Sequence, residues 1–293
     1  MTFNPSSKEK LLIVGCGDIG QRLAQQLDGD RYQATGLRRH PPADLPYLNY
    51  LSCDATRADE LCAVLAAQRP DVIVVSMTPG ERSDAGYQQA YVQTCRNLVA
   101  GLQQERLQPR LIIFVSSTAV YAQQDGGWID ETSPTQPDGF SGRRLLEAEE
   151  VIQTSGFDHC IVRFSGIYGP GRNRLIEQVM QGRASASPHY TNRIHADDCA
   201  GALAHLIERQ RSGTIEALYL ASDSAPTPMV EVVSWIAGKL EVESFLAPDA
   251  VNERGNKRIG NKRLLDSGFR PRYPDFRSGY AELIEQYKHR DLK

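Results

Sequence analysis

An α/β fold with a parallel, doubly wound sheet is what this sequence predicts, on three observations. Short apolar runs alternate with amphipathic stretches through the first half of the chain, and several of those runs are apolar throughout. A glycine-patterned turn, VGCGDIG, joins the first run to the first amphipathic stretch. Strand, helix, strand, repeated, gives parallel pairing, and strands apolar on both faces are those covered by helices on each side.

Taken in order, KLLIV (10–14), YQATGL (32–37), PDVIVVS (70–76), RLIIFVS (110–116) and DHCIVRF (158–164) read as strands. The helix after the glycine turn carries Ile19, Leu23 and Leu27 on its apolar face. The clearest helix places Tyr87, Tyr91, Val92, Cys95, Leu98, Val99 and Leu102 on one face at a 3.6-residue period. After Phe164 the rhythm breaks into a Gly/Pro loop, SGIYGPGRN, with a short helix expected over 174–182. A helix over 197–210 and a strand over 216–221 return to the sheet, and Pro228 stands at the start of a helical, loop-rich C-terminal part.

Composition narrows the function. With 293 residues, 41% of them hydrophobic, the chain can bury a sizeable core, and a formal charge of -3 gives no general attraction to nucleic acid or to an anionic membrane. The polar start, MTFNPSSKEK, and the lack of a long apolar span point to a cytoplasmic protein. The six cysteines (Cys16, Cys53, Cys62, Cys95, Cys160 and Cys199) have neither zinc spacing nor a disulfide pattern, so no metal site is expected.

The glycine turn carries chemistry. Gly15 permits the tight turn, Gly17 lets backbone amides approach a pyrophosphate, and Gly20 lets helix and strand pack closely, with Asp18 and Ile19 at the helix opening. An NAD site usually has an acid about 20 residues further on for the ribose hydroxyl. Residues 31–43 hold no acid and instead carry Arg38, Arg39 and His40. Two guanidinium groups there suit a 2′-phosphate, so the expected cofactor is NADP, with NAD as the alternative.

FVSSTAVYA, RFSGIYGPGRN and NRIHADDCAGAL follow in that order. With the glycine turn, they resemble the extended short-chain dehydrogenase/reductase superfamily, the NAD-dependent epimerase/dehydratase family. The resemblance implies a Rossmann domain (1–164 with 192–222) and a small C-terminal substrate domain (165–191 with 223–293). It implies cofactor contacts at Asp54, Ser76, Met77 and Ser116, a hydroxyl at Ser117 for the reacting oxygen, and cleft-facing Tyr121 and Tyr168. Substrate contacts fall on Tyr168, Asn192, Arg193 and His195. The implied partner is a small molecule, a nucleotide sugar or similar polyol, with a homodimer as the expected assembly and no nucleic acid or membrane.

Two departures stand out. Val14 occupies the place of the superfamily's usual first glycine, and the superfamily's YxxxK pair has no counterpart: Phe140 and Arg144 stand there in one register, Gly139 and Arg143 in the other. The chain therefore most resembles the atypical, sugar-nucleotide-epimerase-like subgroup. A helix opening on two arginines needs a negative partner against its own dipole. The dinucleotide, held by Arg143 or Arg144, is one reading, and Glu147 is another. Among other proton donors, Ser117, Tyr121, Tyr168 and His195 have hydroxyl or imidazole groups. The basic stretch RGNKRIGNKR (Arg254, Lys257, Arg258, Lys262 and Arg263) reads equally as a diphosphate grip or a solvated helix face. Two functions remain open: a catalytic oxidoreductase or epimerase, and a dinucleotide-binding sensor or interaction module without turnover.

Overall fold

The computed structural model describes residues 8–242 and 255–290, and the chain forms two compact units. The first runs to Val120 and adds Pro137–Arg163 and Ala200–Tyr219; the second comprises Tyr121–Gln136, Phe164–Cys199 and the chain from Leu220 onward.

In chain order, β1 (Glu9–Val14), α1 (Asp18–Gln26), β2 (Tyr32–Arg38), β3 (Asn49–Ser52), α2 (Ala58–Gln68) and β4 (Val72–Val75) open the first unit. α3 (Asp84–Tyr87), α4 (Thr94–Gln104) and β5 (Leu111–Ser117) follow. β6 (Trp128–Ile129) precedes α5 (Phe140–Gln153) and β7 (His159–Phe164). Next come β8 (Gly166–Tyr168), α6 (Arg174–Met180), β9 (Tyr190–Thr191), β10 (Arg193–His195), α7 (Ala196–Ser212) and β11 (Leu218–Ala221). β12 (Thr227–Pro228), α8 (Met229–Leu240), β13 (Arg258–Ile259), α9 (Lys262–Asp266) and α10 (Phe276–Arg290) complete the described chain.

The main sheet is parallel and has seven strands in the order β11-β7-β5-β4-β1-β2-β3. From β1 the chain winds first toward β3 and then, from β4, the other way. The switch point therefore lies between β1 and β4, whose last residues pair as Val14↔Val75. Ligands of such sheets bind beyond the carboxyl ends of the strands at that crevice. The continuous runs are buried from Leu11 to Val14, Val72 to Val75 and Leu111 to Phe114, as strands covered on both faces require.

Two elements differ from the sequence reading. β3 is a four-residue edge strand with the burial pattern exposed, buried, half-buried, exposed, too short to show a period. The helix read as continuous through Tyr87 to Leu102 is α3, then a π-helical segment over Gln88–Gln93, then α4. The wider turns still bury Val92, Cys95, Leu98 and Leu102, so the apolar face survives the change of pitch.

The second unit is built on short pairings: β8 with β10 in parallel, β9 with β12 antiparallel, β6 with β13 in parallel. Its core gathers Tyr168, Ile176, Val179, Val232, Ile236, Phe276, Tyr280 and Ile284 from β8, α6, α8 and α10. Residues 121–136, 164, 192–199 and 220–222, which the sequence reading puts with the sheet domain, fall in this unit, where β6 and β10 have their strand partners. Pro228 caps α8 rather than entering its first turn.

Candidate dinucleotide site

The glycine turn sits at the switch point. Gly15 has φ +78°, and a Cβ there would lie 2.6 Å from Met77 Sδ and 2.8 Å from the Ser76 carbonyl oxygen, so only glycine fits. The Ser76 amide bonds back to the Val14 carbonyl at 2.8 Å, and the Cys16 amide to that of Leu37 at 3.0 Å. These bonds tie the ends of β1, β2 and β4 into one floor. Gly20 is the packing glycine: its Cβ would meet Cys16 Sγ at 2.8 Å and Ile13 Cγ2 at 2.9 Å. Burial pushes the Cys16 thiol up to about 12, so this sulfur is a packing atom and no nucleophile.

Gly17 behaves differently. It caps α1 with no side-chain hydrogen bond, and a Cβ there would meet nothing within 4 Å. The space above the helix start is open, and the first amides of a helix have no acceptor within it. Together these make a cradle that fits a pyrophosphate. The Asp18 carboxylate is held by Arg22 at 2.8 Å, and the Ile19 side chain is buried beneath the helix, leaving its backbone to face the cradle.

Arg38 ends β2 and Arg39 follows, both exposed. Among the described residues neither forms an ion pair, and the Arg39 guanidinium lies 3.6 Å from where a side chain at Gly80 would begin, on the loop after β4. Asp54, half-buried after β3, uses one carboxylate oxygen on the Thr56 amide and hydroxyl at 3.0 and 2.7 Å.

At the end of β5, Ser116 and Ser117 point to different fates. The Ser116 hydroxyl is buried and donates to Glu149 at 2.5 Å, and Glu149 also receives Arg163 through two bonds of 2.9 and 2.6 Å. Its side chain thus belongs to the interior, which leaves only its backbone for a cofactor. Ser117 is half-buried, and its oxygen accepts the Ala119 amide at 3.2 Å, leaving its own proton to donate elsewhere.

The start of α5 answers the question of its two cations. Arg144 makes a bidentate pair with Asp84, two bonds of 2.8 Å, and a third of 2.8 Å to Glu147. Arg96 closes the network on the other oxygen of Glu147 at 2.8 Å. The negative partner is therefore two carboxylates, one of them Asp84 from α3, which sequence reading missed. In the free chain the three guanidinium nitrogens of Arg144 are thus already committed to these carboxylates. Those bonds hold its guanidinium above the ordinary arginine value and Asp84 below the ordinary carboxylate value. Arg143 is exposed and donates to the Asp138 carbonyl at 2.6 Å. Phe140 packs edge-on against Tyr87 with ring centroids 5.4 Å apart, and neither Gly139 nor Phe140 offers a hydroxyl.

In the second unit, several residues expected to face a substrate are spent on structure. Tyr121 is buried and its hydroxyl donates to the Asp130 carbonyl at 3.3 Å. The Asn192 amide donates to the Lys257 carbonyl at 2.9 Å and accepts from the Ile259 amide at 2.8 Å, clasping β13. Tyr168 stacks on Tyr280 at 4.6 Å, its hydroxyl reaching the Asp275 carbonyl at 3.4 Å. Arg193 and His195 are buried on β10; the His195 Nδ1 accepts the Asp197 amide at 3.2 Å at the opening of α7. Beside Arg193, burial pushes the Asp223 carboxyl up to about 7, against the opposing pull of that guanidinium. Of the basic stretch, Arg254 lies outside the described residues. Lys257 donates to the Tyr121 carbonyl at 2.7 Å, Lys262 pairs with Asp266 and Arg263 with Glu131.

The sheet order and the glycine cradle define a Rossmann-type protein of the extended short-chain dehydrogenase/reductase class. Residues 9–212 match the family model described as the RmlD substrate binding domain, and the chain belongs to that family. Protein YeeZ of Escherichia coli K12 is 30% identical over 282 residues, covering 91% of this chain and 97% of that protein. A protein of Methylobacillus flagellatus, provisionally described as an NAD-dependent epimerase/dehydratase, superposes with a TM-score of 0.82 at 37% identity, covering 96% of this chain and 100% of that one. MoeE5 in complex with UDP-glucose and NAD has a TM-score of 0.78 at 22% identity, covering 97% and 100%, and shares the fold. Among the described residues, no helix is long and apolar enough to cross a membrane.

Proposed function

We propose that this chain is an NADP-dependent oxidoreductase or epimerase/dehydratase-like enzyme acting on a nucleotide sugar or a similar polyol. One observation carries the reading: at the switch point, an open helix start at Gly17 stands beside β2, whose end offers Arg38 and Arg39 without a carboxylate partner among the described residues. The helix start suits the pyrophosphate, and the unpaired arginines suit a 2′-phosphate that an acid at that place would repel. When bound, such a cofactor supplies or accepts hydride. Ser117 is the hydroxyl available to a reacting oxygen, and Arg143 is the arginine of α5 left to reach a cofactor ribose or phosphate. The substrate class is supported by the fold relative that holds UDP-glucose.

The test is a titration of NADPH and NADH against the wild type and Arg38→Asp, read by nicotinamide fluorescence. NADPH should bind more tightly to the wild type, and the variant should lose that preference. Equal affinities in the wild type would overturn the cofactor assignment. A second reading, a dinucleotide-binding sensor without turnover, is favoured by the phenol-free start of α5 and the committed Tyr121 hydroxyl. Hydride transfer to or from any of a panel of nucleotide sugars would exclude it.

A further inference from the structure

The first turn of α5 lacks a phenol, and a neighbouring helix brings one to it. Phe140, which stands at the superfamily's tyrosine in one register, meets the ring of Tyr87 from α3 edge-on, with centroids 5.4 Å apart at 83°. Tyr87 in turn packs on Tyr91 at 5.4 Å, and Tyr91 on Phe114 of β5 at 6.3 Å. The sequence reading puts both tyrosines on the apolar face of a helix. That accounts for their rings and leaves their hydroxyls unexplained. Among the described residues neither phenol forms a hydrogen bond, and both side chains are half-buried rather than sealed in the core.

The place of Tyr87 is built. Asp84, one turn before it, makes the bidentate pair with Arg144 at 2.8 Å and so fixes α3 against α5. The Ser83 hydroxyl oxygen accepts the Gly86 amide at 3.1 Å, and a Cβ at Gly86 would collide with the Glu81 carbonyl oxygen, so the turn that carries Tyr87 closes tightly. Val14 pairs with Val75 and Val75 with Phe114, which sets the Phe114 end of the aromatic row level with the glycine turn. A Cβ at Gly142 would lie 2.6 Å from the Ala119 carbonyl oxygen, so the first turn of α5 rests on the segment that follows Ser117. Arg144 thus braces the helix that carries the phenol. The two phenols differ in chemistry. Burial pushes the Tyr91 phenol up to about 12, and the neighbouring Tyr87 phenol adds to that rise. A phenol so held gives up its proton reluctantly, which makes Tyr91 the packing partner and leaves the exchange to Tyr87.

We propose that Tyr87 is the proton-exchanging phenol of this enzyme, supplied from α3 in place of the one that the first turn of α5 lacks, and that it acts on the substrate oxygen held by Ser117. The inference rests on the NADP-dependent enzyme reading above and names its acid. In a carbonyl reduction the carbonyl carbon receives a hydride from a reduced nicotinamide, the π-electron pair moves onto the oxygen, and Tyr87 gives that oxygen its proton. The phenolate recovers a proton from water, which reaches a half-buried hydroxyl, and oxidation of an alcohol runs the same transfers backwards.

The full chain, its tyrosines labelled with ¹³C at Cζ, is saturated with NADPH and, in a parallel sample, with NADP⁺; Tyr87→Phe and Tyr91→Phe assign the two resonances. Only the nicotinamide ring differs between the two cofactors, so a phenol beside it reports the difference and a packing residue does not. The Tyr87 resonance should differ between the loaded states, and by more than that of Tyr91. On a panel of nucleotide sugars, Tyr87→Phe keeps the ring against Phe140 and should lower kcat about 100-fold or more with little change in KM. A Tyr87 resonance indifferent to the cofactor's redox state, or an undiminished kcat in folded Tyr87→Phe, would overturn the assignment while leaving the enzyme reading intact. A response and a kcat loss at Tyr91 instead would pass the role to Tyr91 and overturn it too. A wild type that does not bind NADPH, or binds it and transfers hydride to or from no sugar of the panel, would remove both the enzyme reading and its acid.

Discussion

Two arginine pairs, Arg38-Arg39 at the end of β2 and Arg143-Arg144 at the start of α5, read alike in the sequence as places to hold an anion. The structure separates them. Arg144 has its nitrogens on Asp84 and Glu147, whereas Arg38 and Arg39 have no carboxylate partner among the described residues. A cation already neutralised has little left to give a ligand, and one held without a partner beside an open helix start has everything to give. Availability, rather than the presence of charge, is the ground on which Arg38 and Arg39 are proposed as the ligand site.

The comparison breaks most completely at Gly17, because both arginine pairs matter only if the phosphates lie on α1. Gly17→Val should fold, since its Cβ direction is open in the free protein, and should bind NADPH more than about 100-fold less tightly, since that same space is the approach to the amides. Circular dichroism and fluorescence titration check both halves. A folded variant with undiminished affinity would place the phosphates elsewhere and remove the contrast.

A third arginine sharpens it from the side of stability. Arg163 and Glu149 pair at 2.6 Å with side chains only 6% and 2% exposed, while Arg144 and Glu147, on the same helix as Glu149, are each 31% exposed. Removing one partner of a buried pair leaves an uncompensated charge in the interior, and the Ser116 hydroxyl loses a charged acceptor as well. Glu149→Gln should therefore cost about 3–5 kcal/mol in urea unfolding. A cost near that of a surface pair would mean that water reaches the Arg163 guanidinium.

What the sequence showed and what it hid follow one physical division. Continuous apolar runs and glycine spacing are local signals, so β1, β2, β4, β5, β7 and the glycine turn were legible residue by residue. β3 was too short to carry a period, and the π-helical pitch of Gln88–Gln93 leaves the apolar spacing almost unchanged. Partnerships were not legible at all. Asp84 lies 60 residues from Arg144, and the backbone groups that clasp Asn192 lie 65 and 67 residues away. A polar side chain in a family motif does not disclose whether its hydrogen bonds are spent inside the fold, and in Tyr121 and Asn192 they are.

On the ligand side, Arg38→Ala and Arg39→Ala together should weaken NADPH about 10- to 150-fold, the worth of one hydrogen bond to a charged group, and leave NADH nearly unchanged. Parallel titrations of the two cofactors measure the difference directly. An equal loss for both would show that the arginines hold a phosphate common to the two molecules rather than the 2′-phosphate.

The smallest effect is expected where the sequence had promised as much. Arg144→Ala should change NADPH affinity by less than about twofold, because its guanidinium is already bonded to two carboxylates and the network is exposed enough for water to replace it. Its effect should appear in stability instead, with a pH signature. Arg144 holds the Asp84 carboxyl below its ordinary value, so the pair's contribution is fully present above about pH 4, the ordinary aspartate range, and is lost as the pH falls through the lower folded value. Wild type and Arg144→Ala should therefore differ slightly in thermal midpoint at pH 7 and converge in strong acid, and the pH 7 difference should shrink in high salt. A loss of NADPH affinity comparable to that of the Arg38 and Arg39 variant would show that the cofactor takes Arg144 away from Asp84. The two arginine pairs would then be two ends of one dinucleotide grip rather than a ligand site and a helix brace.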